Sequence, residues 1–127
     1  MNPPLRSSDD RDALWWGIKN GIVNTIGSDH APHTIEEKDK TYWEAPAGVP
    51  GVETTLPLML NEVNEGNITM PKIVELMSIN PAKIFKIKNK GMIKEGFDAD
   101  LTIVDIDLLK RVDPDKMFSK CGWSPYD

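Results

Sequence analysis

The sequence has few of the residues that build disulfides and soft metal centres. It contains one cysteine, Cys121, and two histidines, His30 and His33, in 127 residues. A single cysteine cannot form an internal disulfide, so a disulfide-stapled fold is excluded. Without a second thiol beside it, we interpret Cys121 as an inert side chain rather than a metal ligand.

Long apolar runs and clusters of basic charge are also missing. No uninterrupted apolar run approaches the roughly 18 residues of a membrane span, and the first residues, 1–6, lack the apolar stretch of a signal peptide. The net charge is −5 and no basic cluster is present, which argues against a nucleic-acid surface. We therefore expect a cytoplasmic protein with no membrane and no nucleic-acid partner. An apolar content of 39% suffices for a core.

A short polar motif, Asp29 to His33, follows a β-branched segment. Residues 22–27 predict a strand that ends before Pro32, because proline cannot donate to a sheet ladder. Asp29 would lie at the carboxyl end of this strand, where catalytic side chains gather in parallel α/β folds. Asp29 can ligate a cation or transfer a proton, and His30 and His33 can be ligands or anion contacts. The alternative is a capped turn in which Asp29 accepts backbone N–H bonds.

Most of the remaining chain is predicted to be helical. The expected helices run from a cap at Ser7 or Ser8 to about Lys19, from Val52 to Gly66 with Pro57 in the first turn, from a cap at Thr69 through Met77, and from a cap at Asn80 to about Phe85. Residues 34–51 are charged and then rich in proline and glycine, which predicts a long loop. Loops of this length are usually functional, although a flexible surface segment has the same composition.

The composition of the sequence changes after Lys90. Residues 91–100 are rich in turn formers and lead into a predicted strand, Leu101–Asp105. Asp98 and Asp100 have the spacing of calcium ligands, but the other ligand positions of a calcium loop are missing. We interpret them as parts of a structural turn.

The motif Asp29-His30-Ala31-Pro32-His33 resembles the D-H-A-P-H signature of dihydroorotases in the cyclic amidohydrolase superfamily. Further segments carry the resemblance: Asn2-Pro3-Pro4-Leu5-Arg6, the loop Ala45 to Glu53, Asn80-Pro81-Ala82, and Gly96 to Leu101. The resemblance covers only the last part of such an enzyme and implies an α/β fold. Residues 1–88 would be the last βα units of a (β/α)₈ TIM-type barrel, and residues 89–127 would be part of a small β-sandwich.

The resemblance also implies an activity and its site. The activity is the zinc-dependent interconversion of N-carbamoyl-L-aspartate and dihydroorotate in pyrimidine biosynthesis, with one or two Zn²⁺ ions. Asp29 is similar to the metal-binding carboxylate that is also the catalytic acid and base. The substrate contacts implied are Asn2 to the pyrimidine ring, His33 to the substrate carboxylate, and Ala47 and Gly48 through their backbone. His30 matches no ligand role and is interpreted as structural.

The sequence departs from the family pattern at the metal centre. The family's centre needs an H-x-H pair, a bridging carboxylated lysine and two further histidines, but this chain has two histidines in all and both belong to the Asp29 motif. Asp29 and His33 alone cannot form a zinc site with three protein ligands. We therefore expect the isolated chain to be inactive, as a partial reading frame, an excised fragment or a split subunit.

Other functions stay open at this point. One is a non-catalytic, dihydroorotase-like piece that binds a partner. Another is a different cyclic amidohydrolase, an allantoinase or a hydantoinase, although His33 favours a substrate that carries a carboxylate. Formation of a homo-oligomer and association with aspartate carbamoyltransferase are the protein partners to consider.

Overall fold

The computed structural model describes residues 1–126 and divides the chain into two compact units. The first unit comprises Met1–Leu5, Ser28–Leu58 and the chain from Leu108 onward. The second unit comprises Arg6–Gly27 and Met59–Asp107. The helices are α1 (Ser8–Lys19), α2 (Ile35–Lys38), α3 (Thr55–Asn64), α4 (Met70–Val74), a π-helical turn (Glu75–Ile79), α5 (Asn80–Ile84) and a 3₁₀ turn (Pro114–Lys116).

Helix α1 begins and ends where its sequence predicts. The Ser7 hydroxyl accepts the Asp10 N–H, and the Asp10 carboxylate accepts the Ser7 N–H in return, which forms a capping box. Asp9 and Asp10 lie in the first turn and Lys19 in the last. Each charge is opposite in sign to the partial charge at its end of the helix, which stabilises the helix. Gly21 follows with a φ of +74°, a conformation that costs glycine little and stops the helix.

Helix α3 confirms the predicted placement of Pro57 in a first turn. Pro57 is the third residue of Thr55–Asn64, a position whose N–H has no partner within the helix. The N–H groups of Thr54 and Thr55 both donate to the Gly51 carbonyl, at 3.1 and 3.0 Å. The helix begins at Thr55, three residues after the predicted Val52.

The helical segment from Met70 to Ile84 corrects one prediction. Thr69 caps α4 as expected, with its hydroxyl accepting the Lys72 N–H. Asn80 is not a cap, because its φ of −69° and ψ of −43° are helical and its N–H donates to the Glu75 carbonyl. The π-type bond carries the helix straight into α5. Leu76 in this turn is fully buried, at 0% exposed.

The strand predictions are not confirmed by the part of the chain that the structure describes. Neither residues 22–27 nor Leu101–Asp105 form a β-ladder within residues 1–126. The N–H of Ile26 instead donates to the carbonyl of Leu76, at 3.3 Å. A parallel strand exists only with hydrogen-bonded neighbours, and β-branched residues alone do not supply them. The expected α/β architecture is therefore visible here only in its helices.

Two smaller features complete the description. Part of the segment expected to be loop, Ile35–Lys38, is the short helix α2, so that prediction is wrong there.

Asp98 and Asp100 both pair with Lys90, and the N–H of Asp98 donates to the Asn89 carbonyl. This pairing is that of a structural turn. Over residues 1–126, no helix is both long enough and apolar enough to cross a membrane.

Candidate active site

Asp29 has an exposed carboxylate on an uncommon backbone conformation. Its φ is +45°, in the left-handed region that aspartate enters more readily than most residues. Within residues 1–126 its carboxylate accepts no hydrogen bond, so the capped turn considered from the sequence is not formed by this part of the chain. A strained backbone that presents a free carboxylate is a feature of functional sites.

The residues that follow Asp29 are bound to the loop of residues 45–51, called here the Pro-Gly loop. The Ala31 N–H donates to the Val49 carbonyl at 3.0 Å. Nδ1 of His30 accepts the N–H groups of Gly51 and Val52 at 3.0 and 3.2 Å. A ring nitrogen that accepts two such bonds has its lone pair occupied, which leaves His30 to hold the loop.

Gly48 shows how closely the loop approaches the motif. A Cβ atom at position 48 would lie 2.5 Å from the Cβ of Ala31, and the φ of Gly48 is +100°. Only glycine satisfies both conditions without a shift of the backbone. The structure thus brings the predicted contact Gly48 against the Asp29 motif, while the adjacent Ala47 is exposed.

Lys38 holds the Pro-Gly loop from the other side and was not identified from the sequence. Its Nζ donates to the carbonyls of Pro46 and Gly48, at 2.7 and 2.9 Å. It is the last residue of α2, whose capping box joins Thr34 and Glu37. The spacing Thr-x-x-Glu is the sequence signal that would have revealed this helix.

His33 has a half-exposed imidazole and a well-fixed backbone. Its N–H donates to the Ala31 carbonyl at 2.9 Å, and its own carbonyl accepts the indole N–H of Trp123 at 2.8 Å. Its Nδ1 lies 3.6 Å from Oε2 of Glu37, with both side chains partly exposed to solvent. Such an exposed pair contributes little to stability, so the imidazole is free to meet a ligand.

Glu53 joins the start of the α3 region to the residues near the end of the described chain. Its two carboxylate oxygens accept the N–H groups of Phe118 and Ser119, at 3.0 and 2.9 Å. These two bonds hold the pKa of the Glu53 carboxyl below its usual 4.5, and the bond from Phe118 has the larger effect. Cys121, two residues after Ser119, is buried and is not part of a disulfide.

The lowered pKa of Glu53 predicts a pH-dependent effect of Glu53→Gln. A carboxyl with a depressed folded-state pKa stabilises the fold fully above its unfolded pKa, near 4.5, and loses this contribution as pH falls through the folded pKa. We expect the variant to unfold at lower urea concentration than the parent at pH 7, and the difference to shrink below about pH 4.5. Glu65→Gln, at an exposed helix end, is the matched control. A deficit that stays constant from pH 7 to pH 3 would contradict this role.

The remaining predicted residues are not brought into a metal site. Asn2 is exposed and forms no hydrogen bond with the Asp29 motif in the described residues. Residues 1–126 contain no group of three or more His, Cys, Asp or Glu side chains placed to hold a metal ion. Zinc requires at least three protein ligands, so these residues do not fit a complete zinc centre.

Comparison with known proteins places this geometry in context. The chain matches the amidohydrolase family over residues 2–124. It is 52% identical over 125 residues to a dihydroorotase of Pyrococcus furiosus, which covers 98% of this chain and 28% of the relative. It is 42% identical over 127 residues to a dihydroorotase of Halobacterium salinarum, 100% of this chain and 30% of the relative. The predicted resemblance is confirmed, and the chain spans less than a third of these relatives.

Solved structures with a similar backbone are hydantoinases. The L-hydantoinase (dihydropyrimidinase) from Arthrobacter aurescens matches with a TM-score of 0.91 and 42% identity, over 98% of this chain and 29% of that one. The D-hydantoinase (dihydropyrimidinase) from Thermus sp. matches with a TM-score of 0.92 and 27% identity, over 100% of this chain and 29% of that one. The described backbone therefore follows the path of a corresponding part of these enzymes.

Proposed function

Because the chain belongs to the amidohydrolase family, we propose that it forms part of a zinc-dependent enzyme that interconverts N-carbamoyl-L-aspartate and dihydroorotate in pyrimidine biosynthesis. The observation that carries the proposal is the exposed carboxylate of Asp29 beside a loop bonded to its motif through Ala31 and His30. Identities of 42% and 52% to dihydroorotases support this choice of substrate.

The proposed setting is the final part of a (β/α)₈ barrel, residues 1–88, followed by part of a β-sandwich, residues 89–127. The backbone likeness to hydantoinases supports this setting. Residues 22–27 would become a barrel strand once neighbouring strands from outside the described residues pair with it. Asp29 would then stand at the rim of the barrel where active sites lie.

In this proposal Asp29 has two tasks. It would be one ligand of a centre of one or two Zn²⁺ ions, with the other ligands supplied from outside residues 1–126. It also moves a proton: Asp29 accepts a proton from the attacking water as the new C–O bond forms at the ring carbonyl, and delivers it to the ring nitrogen as the C–N bond breaks. The product is the open-chain N-carbamoyl-L-aspartate.

The substrate contacts proposed are Asn2 to the pyrimidine ring, the backbone of Ala47 and Gly48, and His33 to the carboxylate. The exposure of Ala47 and of the His33 imidazole leaves both accessible. The close packing of Gly48 on Ala31 keeps the loop backbone beside the motif. A carboxylate on the substrate is the group that an imidazole at this position would select.

A hydantoinase is the second candidate, because structures of hydantoinases match the chain at TM-scores of 0.91 and 0.92. The substrates of the two candidates differ in ring size and in the carboxylate, which dihydroorotate carries and hydantoin lacks. An assay of the complete enzyme on dihydroorotate, hydantoin and allantoin separates them. We expect the highest kcat/KM on dihydroorotate, and a higher value on hydantoin would reject our choice of substrate. A cytoplasmic location, homo-oligomerisation and association with aspartate carbamoyltransferase remain predictions.

His33→Ala tests the carboxylate contact in the complete enzyme. We expect kcat/KM for dihydroorotate to fall about 10- to 100-fold, since a lost hydrogen bond to a charged group costs roughly 1.5 to 3 kcal/mol. Dihydrouracil, which lacks the carboxylate, should lose much less. The bond from Trp123 reaches the His33 carbonyl and survives the substitution. Equal losses on both substrates would show that His33 does not read the carboxylate.

A further inference from the structure

Lys38 binds the Pro-Gly loop at two of its backbone carbonyls. Its Nζ binds the carbonyls of Pro46 and Gly48, the residues on either side of Ala47. The Pro46–Ala47 peptide is trans, because the cis bond of the described chain is Asn2–Pro3. In a planar trans peptide the N–H points opposite to the carbonyl. The N–H of Ala47 therefore points away from Lys38.

Trp123 acts on the same region through a second contact. Its indole N–H donates to the His33 carbonyl at 2.8 Å, across 90 residues of sequence. Its ring lies 5.9 Å from Nζ of Lys38, within the range of a cation–π interaction. One indole thus links the backbone of His33 to the ammonium group that holds the loop.

We propose that Lys38 and Trp123 are positioning residues, which together fix the His33 backbone and the Ala47–Gly48 peptide for substrate binding. This inference rests on the proposed function, since it takes His33 and Ala47–Gly48 as substrate contacts. Neither side chain carries the proton that Asp29 moves. Loss of either one therefore weakens substrate binding and leaves the chemical step close to its normal rate.

The structural half of the test needs no substrate. In the complete enzyme, Lys38→Met removes the ammonium but keeps the length of the side chain. We expect the N–H groups of Ala31 and Gly51, which bind the loop to the motif, to exchange with solvent about tenfold faster than in the parent. The amides of α1 should keep their parental rates. Lys40→Met, an exposed lysine two residues further on, is the matched control and should change neither.

Trp123→Phe keeps an aromatic ring and removes the indole N–H. We expect faster exchange of the His33 N–H, which donates to the Ala31 carbonyl. Trp43→Phe, at a tryptophan that is 91% exposed, is the control. If Lys38→Met does not fold, the comparison of Trp123→Phe with Trp43→Phe tests the positioning contacts by itself. Exchange rates of Lys38→Met equal to those of Lys40→Met, or of Trp123→Phe equal to those of Trp43→Phe, overturn the positioning contacts.

The kinetic half uses the complete enzyme and whichever cyclic amide it turns over. We expect KM to rise about tenfold for Lys38→Met and about fivefold for Trp123→Phe, with kcat within about threefold of the parent. A fall in kcat at unchanged KM would overturn the inference. Hydrolysis of hydantoin but not dihydroorotate would reject the proposed substrate. The KM changes, measured on hydantoin, would still test the positioning roles of Lys38 and Trp123.

Discussion

Asp29→Asn in the complete enzyme is expected to lower kcat by about 10² to 10⁴-fold or more, because the amide cannot accept the proton of the attacking water. The Asp29 carboxylate is exposed and accepts no hydrogen bond from residues 1–126, so no contact described here is lost. Asparagine also tolerates the left-handed φ of +45° about as well as aspartate does. The fold should therefore be preserved.

The measurement is steady-state turnover of dihydroorotate beside urea unfolding of both proteins. Asp39→Asn, an exposed aspartate after α2, is the matched control and should retain the parental kcat. The unfolding midpoint of Asp29→Asn should equal that of the parent, which separates lost chemistry from lost structure. A variant that keeps more than about a tenth of the parental kcat would reject Asp29 as the proton carrier.

Features governed by neighbouring residues were predictable from the sequence. The caps at Ser7 and Thr69 and the first-turn position of Pro57 each depend on contacts within four residues, and each is present in the structure. The exception is Asn80, which has the sequence of a cap but continues a helix. A π-type bond to Glu75 and a side-chain bond to the Asn24 carbonyl, at 2.9 Å, determine its conformation instead.

Features governed by distant residues were not predictable. The strands of residues 22–27 and Leu101–Asp105 depend on partners that their own composition does not specify. Likewise, Trp123 reaches His33 across 90 residues, and Glu53 reaches Ser119 across 66. Sequence patterns singled out Asp29, His33 and Gly48 as candidates. They did not single out Lys38, which binds the Gly48 carbonyl, or Trp123, which binds the His33 carbonyl.

The 127 residues alone are expected to bind no zinc stoichiometrically and to hydrolyse no dihydroorotate. No cluster of three metal-binding side chains occurs within residues 1–126, and Nδ1 of His30 is already occupied by two backbone N–H groups. Asp29 and His33 leave a zinc ion short of its minimum of three protein ligands. Without a bound zinc ion, the proposed reaction is not expected to proceed, even with the Asp29 carboxylate intact.

The same chain is also expected to self-associate. Its exposed side chains include Ile103 and Leu109, each 96% exposed, and Phe118, 95% exposed. The buried apolar side chains of the described residues are Pro50, Ile68, Ile73, Leu76, Ala82 and Cys121. So small a buried set must offset about 1 to 2 kcal/mol of backbone entropy for each ordered residue. Burial of the exposed apolar groups between copies would stabilise the chain further.

Association and the missing ligands are separable by experiment. The purified chain would be examined by metal analysis, a dihydroorotate hydrolysis assay and light scattering, beside the double variant Ile103→Lys and Leu109→Lys. We expect the double variant to associate less than the parent and still to bind no zinc, because added charge disfavours apolar contacts but supplies no ligand. If association were blocking a complete site, the double variant would gain zinc and activity. A monodisperse parent chain with tightly bound zinc and measurable turnover would show that the site is complete within these residues.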